Sequence, residues 1–230
     1  MSWRDSAKKR AAIEATKNVE NGFILGLGTG SSATYAVEEI GRRIREEKLH
    51  VLGVPTSYQT FLLAVRYGIP VTTLSEHPKI DLDIDGADQI DSHLNLIKGI
   101  GGALTREKIV AASAKKFIVV ADETKLTNKL GERQMVPIEV MPFAESPVFS
   151  KISQIGGKPL LREKKDGSGP YITDNGNFIL DADFGPIEDP AGLDAKLKAV
   201  PGIIETGLFV GMAKIAYVGT ETTVKTIRKP

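Results

Sequence analysis

The sequence predicts an α/β protein in two parts, an open, mostly parallel sheet and a smaller α+β layer. Three observations carry this. Up to Gly131, short apolar runs alternate with helix-period segments, and polar residues cluster where the runs end. One run, Phe117–Ala121 (FIVVA), is continuously apolar, as a strand buried on both faces is. Beyond Gly131 the order becomes strand, helix, strand, strand, helix, strand, a ferredoxin-like pattern. Residues 1–131 plus 208–230 are expected to form the larger, Rossmann-like part, and 132–207 the smaller one.

Residues 5–20, rich in Ala, read as a helix that stops at Asn21-Gly22, with Lys8 and Lys9 as exposed charges on it. Phe23–Leu27 is a strand pattern that breaks into Gly26-Leu27-Gly28-Thr29-Gly30-Ser31-Ser32, after which Ala33, Val37, Ile40 and Ile44 recur at helical spacing. Strand, glycine loop, helix is the arrangement in which backbone N–H groups and a helix N-terminus cradle an anion. Glycines also serve any tight strand-to-helix turn. The loop lacks the last glycine of a dinucleotide fingerprint and the GK[ST] ending of a nucleotide P-loop. Its small hydroxyl residues Thr29, Ser31 and Ser32 fit a sugar phosphate better. Val51–Thr56 is the next strand, Tyr58–Tyr67 a helix stopped by Gly68, and Val71–Leu74 another short strand.

The stretch Asp81–Lys108 carries most of the chemistry. Ile80, Leu82 and Ile84 alternate with Asp81, Asp83 and Asp85, so an apolar face enters a core while Asp85 arrives at the strand end. Gly86 and Ala87 permit a tight turn before Asp88. A second apolar run, Leu94–Ile97, delivers Lys98 into the glycine loop Gly99-Ile100-Gly101-Gly102, which feeds a helix carrying Glu107. On a wheel at ~100° per residue, Leu104, Val110 and Ala111 flank Glu107 while Ile109 lies on another side, so the helix reads as apolar nearly all round and substantially buried. A carboxylate there is either an edge residue paired with Arg106 or Lys108 through solvent, or a base whose pKa burial raises towards the working pH. Taken singly, Asp85 and Asp88 could close an Asx-type turn, and Lys98 could be a surface lysine. Their conjunction after a phosphate-type loop is harder to assign to independent surface positions.

After FIVVA, the strand ends in ADETK, where Asp122 could cap a turn and Lys125 could be a surface lysine. Val136–Val140 (strand), Pro147–Ile155 (helix) and Lys158–Arg162 (strand) follow, and Asp174-Asn175-Gly176-Asn177 between strand-like runs is a hairpin signal. A helix over 191–200, a strand at Gly202–Glu205 and a strand-rich return to the first part over 207–227 complete the chain.

Composition excludes several classes. A net charge of +1 over 230 residues gives no footprint for nucleic acid or a membrane surface, and the mixed runs Arg42–Lys48 and Arg162–Asp166 read as solvated faces. No cysteine is present, so disulfides, thiolate metal sites and thiol nucleophiles are out, and His50, His77 and His93 lack ligand spacing, which argues against a metal. MSWRDSAKKR has no apolar core of signal-peptide length, and no apolar run approaches ~20 residues, so a soluble, cytoplasmic protein is expected.

GLGTGSS (26–32), DGADQID (85–91) and KGIGGALTREK (98–108), in this order, resemble the signature of type A ribose-5-phosphate isomerase. ADETK (121–125), PIEVMPFA (137–144), TDNGNFILD (173–181) and PGIIETGLF (201–209) extend the resemblance from about Lys8 to the C-terminus. One departure is Ile100, where the family's loop often has glycine.

The resemblance implies an aldose–ketose isomerase acting through an enediolate, with no cofactor and no metal, in the non-oxidative pentose phosphate pathway, and a homodimer or homotetramer. Such a reaction needs one base serving both carbons, a cation or donor near the oxygens and help in opening the sugar ring. By resemblance Glu107 is that base, Lys98 and the amides of Gly99, Ile100 and Gly101 face the oxyanion, Asp85 transfers the ring-opening proton and Asp88 orients hydroxyls. Thr29, Gly30, Ser31 and Ser32, the turn Asp85-Gly86-Ala87-Asp88, Lys98–Gly101 and Lys125 would hold the substrate, and Lys8 could stand near its phosphate. Two other classes use a comparable scaffold: a sugar-phosphate-binding sensor domain, which needs no buried Glu107, and a coenzyme A transferase, in which a Glu nucleophile forms a thioester.

Overall fold

The computed structural model describes residues 2–229. Its helices are α1 (Trp3–Thr16), α2 (Ser31–Glu47), α3 (Tyr58–Arg66), α4 (Leu104–Ser113), α5 (Glu145–Gln154) and α6 (Pro190–Lys198). Its strands are β1 (Ile24–Leu27), β2 (Leu52–Pro55), β3 (Ile80–Gly86), β4 (Gln89–Ile90), β5 (Leu96–Ile97), β6 (Ala114–Asp122) and β7 (Val136–Val140), then β8 (Lys158–Leu161), β9 (Phe178–Asp183), β10 (Ile203–Thr206), β11 (Leu208–Phe209), β12 (Ile215–Gly219) and β13 (Val224–Arg228). The chain divides into two compact units: Met1–Ala87, Arg106–Lys125 and Gly211–Pro230 form one, Asp88–Thr105 and Leu126–Val210 the other.

The first unit is built on a six-stranded sheet of order β13-β12-β6-β3-β1-β2, parallel except for β13. This is the open α/β sheet that the alternation predicts. β3 lies between β1 and β6, and its alternating sequence sorts onto two faces. Leu82 and Ile84 join Leu25, Leu27, Ile118 and Val120 in a core closed by Ala11, Ala12 and Ala15 of α1, Ala36, Val37 and Ile40 of α2, and Ala64 of α3. Small residues on α1 let it lie close: a Cβ on Gly219 of β12 would stand 2.0 Å from the Ala7 carbonyl oxygen. A second cluster joins Val54 and Ile80 to Val110 of α4.

Three local expectations are corrected here. The first helix starts earlier and ends at Thr16, not near residue 20. Ser2 and Asp5 close a capping box at its start, and at its end the Arg43 guanidinium takes the carbonyls of Thr16 and Val19 and turns the chain. Arg43 is therefore not part of a purely solvated face, although Arg42, bonded to Glu39, Glu46 and Glu47, is. The strand expected at Val71–Leu74 shrinks to a single bridge between Val71 and Gly53. Thr73 accepts the His77 N–H, and the hydroxyls of Thr72 and Thr73 donate to Glu76, so the chain curls instead of extending.

The second unit contains the expected strand-helix-strand-strand-helix-strand layer, from β7 through α5, β8, β9 and α6 to β10. The four strands are antiparallel in the order β10-β7-β9-β8, the ferredoxin-like order. Val136, Ile138, Val140, Leu180 and Ala182 pack with Val148 and Ile152 of α5 and Leu197 of α6. The hairpin signal at 174–177 resolves differently. The turn exists, with the Thr173 N–H donating to Asn177 O, but the ladder partners of β9 are β7 and β8, and residues 162–171 form a separate excursion bridged at Glu163 and Pro170. A three-stranded sheet, β11-β5-β4, is built from two-residue strands too short for periodicity to reveal. Asp91 folds its turn by accepting from the N–H groups of His93 and Asn95 at 2.8 Å each. Among the described residues no helix is long and apolar enough to cross a membrane.

Candidate active site

Most of the residues singled out in the first unit lie at the carboxyl edge of its parallel sheet, where open α/β folds bind ligands. β1, β3 and β6 are neighbours there, so the segments that leave them, Gly28–Ser31, Ala87 and Glu123–Lys125, emerge side by side at strand spacing. Asp85 is fully buried and ties two of these segments together. Its Oδ1 accepts the N–H of Thr29 at 3.0 Å and that of Gly86 at 2.6 Å. The fit is close: a Cβ on Gly28 would lie 2.2 Å from Asp85 Oδ1 and 2.5 Å from Asp85 Cα, so only glycine is accommodated.

Gly30 caps α2 at φ 104° with no side-chain hydrogen bond onto the helix start. The amides of the first turn, Ser31 and Ser32 among them, are left without a capping side chain, the condition for an anion cradle. Lys8 of α1 donates to Ser31 Oγ at 3.1 Å and stands 3.9 Å from Asp122 Oδ2, with its side chain only 16% exposed. The expectation of a solvated charge holds for Lys9 but not for Lys8, because α1 packs along the face of β6 and brings Lys8 level with Asp122 at the end of that strand. Asp122 also caps its own turn through Thr124 N and Oγ1, and Lys125 sits half-buried at the end of that turn.

The hydroxyl of Thr29 has a different occupation from the one expected. It is buried among Thr56 Oγ1 at 2.7 Å, Ser57 Oγ at 2.8 Å and Thr60 Oγ1 at 3.0 Å. Thr60 in turn donates to Gly28 O, and Thr56 to Leu27 O. This cluster fastens the loop to the end of β2 and the start of α3. Its only sequence signal is the hydroxyl spacing in Thr56-Ser57-Tyr58-Gln59-Thr60, which by itself reads as a helix cap.

Glu107 lies in the first turn of α4 and is 4% exposed. Leu104, Val110 and Ala111 share its buried side, whereas Ile109 is 47% exposed. The helix is therefore one-sided, not apolar all round, and Glu107 belongs to the inward stripe. An edge carboxylate paired through solvent is ruled out by that burial.

The second unit holds Asp88, Lys98 and the loop Gly99–Gly102. β5 ends at Ile97, and the Lys98 N–H donates to Gly207 O at 2.9 Å, which fixes where Lys98 departs. Lys98 is 3% exposed, with Nζ 5.4 Å from the centre of the Phe209 ring. Asp88 is oriented twice: its N–H donates to Ile97 O at 2.8 Å and its Oδ2 accepts from Ile100 N at 3.0 Å. The Ile100 amide thus serves Asp88, which corrects the expectation that all three loop amides face an oxyanion. Ile100 itself is 47% exposed, so its side chain takes no room from the loop backbone.

Glu139 and Arg162 escape a sequence reading. Glu139, fully buried in β7, accepts from Thr105 Oγ1 (2.5 Å), Thr173 Oγ1 (2.8 Å), Asn177 Nδ2 (2.8 Å) and Asn175 Nδ2 (3.1 Å). It joins the 173–177 turn to Thr105. The one available signal was a lone acid inside the apolar run Val136–Val140. Arg162 is 15% exposed and forms a two-pronged pair with Asp181, so it leaves the solvated run to which it was assigned, whereas residues 163–166 remain exposed. Among the described residues no group of three or more His, Cys, Asp or Glu side chains is arranged to hold a metal ion.

The chain as a whole is similar to known proteins. The sequence model of ribose 5-phosphate isomerase A (phosphoriboisomerase A) matches residues 52–223. Ribose-5-phosphate isomerase A of Methanosarcina acetivorans is 53% identical over 218 residues, 94% of this chain and 92% of that protein. The ribose 5-phosphate isomerase A structure from Methanocaldococcus jannaschii superposes with a TM-score of 0.94 at 44% identity, covering 98% of this chain and 99% of that one. A D-ribose-5-phosphate isomerase solved in complex with phospho-erythronic acid gives a TM-score of 0.96 at 44% identity, over 99% of this chain and 100% of that chain.

Proposed function

This chain belongs to the ribose 5-phosphate isomerase A family, and we propose that it interconverts ribose 5-phosphate and ribulose 5-phosphate through an enediolate. The observation that carries the reading is the burial of Asp85, Lys98 and Glu107, at 0%, 3% and 4% exposure. Burying an ionisable group is costly, and three within one short stretch of the family signature are explained by use in chemistry.

Each group takes one role. The amides at the start of α2, which no side chain caps, with Lys8 on Ser31 and Lys125 beyond the end of β6, receive the phosphate. Asp85 carries the proton from the anomeric hydroxyl to the ring oxygen as the ring opens. Glu107 then removes the proton from C2 of the open aldose. The C2–H electron pair forms the C1–C2 double bond while the aldehyde oxygen takes up negative charge. Lys98 meets that charge, and Asp88 orients the neighbouring hydroxyl. Moving the hydroxyl proton from O2 to O1 and returning the carbon-bound proton from Glu107 to C1 gives the ketose, with no net change in atoms or electrons. A bound phosphorylated sugar acid such as phospho-erythronic acid would place its carboxylate where the enediolate charge develops.

The test is turnover of ribose 5-phosphate by the purified chain without added cofactor, together with deuterium entry at the carbon next to the carbonyl in D₂O. Binding without isomerisation or exchange would favour a sensor domain. A requirement for an acyl-coenzyme A would favour the transferase. Association into a homodimer or homotetramer and cytoplasmic residence belong to the same reading. Exposed apolar side chains on α3 (Tyr58, Phe61, Leu62 and Val65) support association, and sedimentation equilibrium checks it.

A further inference from the structure

Arg162 has no place in the chemistry above, yet its guanidinium touches the glycine loop directly. Nε and Nη2 donate to the two carboxylate oxygens of Asp181, at 2.8 and 2.5 Å, and Nη1 donates to the carbonyls of Gly99 and Ile100, both at 3.0 Å. The next carbonyl, Gly101 O, accepts from the Tyr171 hydroxyl at 3.3 Å. Tyr171 is tethered in turn, its N–H donating to Arg162 O at 2.8 Å. Its ring also occupies the space beside Gly102, where a Cβ would meet the phenol oxygen at 2.4 Å. Three consecutive carbonyls are thus held from one side.

A planar trans peptide directs its N–H opposite to its C=O. Gly99 O also closes the turn by accepting the Gly102 N–H at 3.0 Å; with Arg162 holding it as well, the Ile100 N–H points the other way and lands on Asp88 Oδ2. Fixing Ile100 O on the same nitrogen sends the Gly101 N–H to that side as well. The Arg162 charge is met by Asp181, so its long-range field is small, and what remains is direction, plus the polarisation that a hydrogen-bonded carbonyl confers on its own N–H. Burial raises the Tyr171 phenol above its ordinary pKa, which keeps it a neutral donor.

We infer that Arg162, paired with Asp181 and helped by Tyr171, is a positioning residue for the isomerisation: it fixes the peptide planes of Gly99–Gly101 and thereby aims Asp88 and the Gly101 amide at the sugar oxygens. The inference rests on the proposed isomerase reading. A lysine cannot replace Arg162, because the task needs a rigid fork that reaches a carboxylate and two carbonyls at once.

The experiment compares wild type, Arg162→Lys, Arg162→Ala and Tyr171→Phe. Wild-type turnover of ribose 5-phosphate tests the isomerase reading separately; if that fails, the reading fails before the variants are considered. In Arg162→Lys, kcat should fall about 10²-fold, the size of effect a small misplacement produces. Affinity for phospho-erythronic acid should fall in parallel, while inhibition by inorganic phosphate stays at the wild-type level. Added guanidinium should restore part of kcat to Arg162→Ala and nothing to wild type. A role confined to stability predicts the reverse: lower melting temperatures, wild-type kcat per folded molecule and no rescue. If the Arg162 variants do not fold, Tyr171→Phe decides, since it removes only the hydroxyl on Gly101 O. A several-fold drop in kcat at unchanged melting temperature supports the inference. Wild-type kcat and analogue affinity overturn it.

Discussion

The two glycine loops, Gly26–Ser32 and Gly99–Gly102, look alike in composition and are held in opposite ways. The first runs into α2, and its use depends on what is left unbonded: Gly30 caps the helix without a side chain, so the first-turn amides stay available. Its position is set by buried hydroxyls on one side and by Asp85 on the other. The second loop is held by its carbonyls, taken by Arg162 and Tyr171, and one of its amides is already given to Asp88. The first loop thus opens onto an uncapped helix start, the place where we propose the phosphate binds. The other is a rigid mount that aims its neighbours. Glycine serves close approach in the first, where Asp85 excludes any Cβ at Gly28, and the packing of an aromatic ring in the second, where Tyr171 excludes one at Gly102.

Substitutions should therefore separate binding from chemistry, and the largest effect should come from the helix that follows the second loop. Glu107→Gln keeps shape and helix propensity but removes the proposed base. It should lower kcat by about 10²–10⁴-fold or more while inorganic phosphate still competes as in wild type. Deuterium exchange in D₂O at near wild-type rate would reassign the base to Asp85 or Asp88. Next comes Lys98→Met, expected to cost about 2.7–4 kcal/mol of transition-state stabilisation. The loss should appear in kcat, and an effect confined to KM would make Lys98 a binding group.

The glycines of the first unit should then rank by what their Cβ would meet. Gly28→Ala forces a carbon into the backbone of Asp85, so it should lower stability by about 1–3 kcal/mol and raise KM. Gly30→Ala meets nothing within 4 Å but must hold φ 104°, at a cost of about 1–3 kcal/mol, read mainly as weaker phosphate binding. Gly86→Ala should be nearly silent in folding, since its nearest neighbour would be Ser32 Cβ at 3.7 Å. Equal kinetics in all three would mean that the first loop is only a turn.

The smallest effect is expected away from both loops, at Asp81. Hydrogen bonds from Lys115 and then from the Ile24 N–H lower its pKa. A carboxylate with a depressed folded pKa stabilises above its unfolded value, about 3.9, and that contribution is lost as pH falls through the folded value. Asp81→Asn should therefore flatten acid unfolding below about pH 4 and change stability at neutral pH by less than about 1 kcal/mol, the Lys115 partner being largely exposed. Isomerase kinetics should not move.

Sequence by itself determined the alternation of strands and helices, the ferredoxin-like order after Gly131, both glycine loops and the stretch that carries Asp85, Lys98 and Glu107. These are legible because hydrophobic period reports which side of an element meets water, and because a glycine loop after a strand is a local arrangement. Period failed where local bonding was stronger, as at Thr72 and Thr73, whose hydroxyls curl the chain around Glu76, and in β4, β5 and β11, which are too short to have one. Only the tertiary structure decided that Lys8 reaches Ser31, that the Thr29 hydroxyl turns inward, that Glu139 gathers the 173–177 turn with Thr105, and that Arg162 leaves a charged run to grip residues about 60 positions away. A charged or hydroxyl side chain has the same local signature whether it is solvated or buried against a partner. Its burial depends on a partner that the fold brings from elsewhere in the chain, and no window of neighbouring residues contains it.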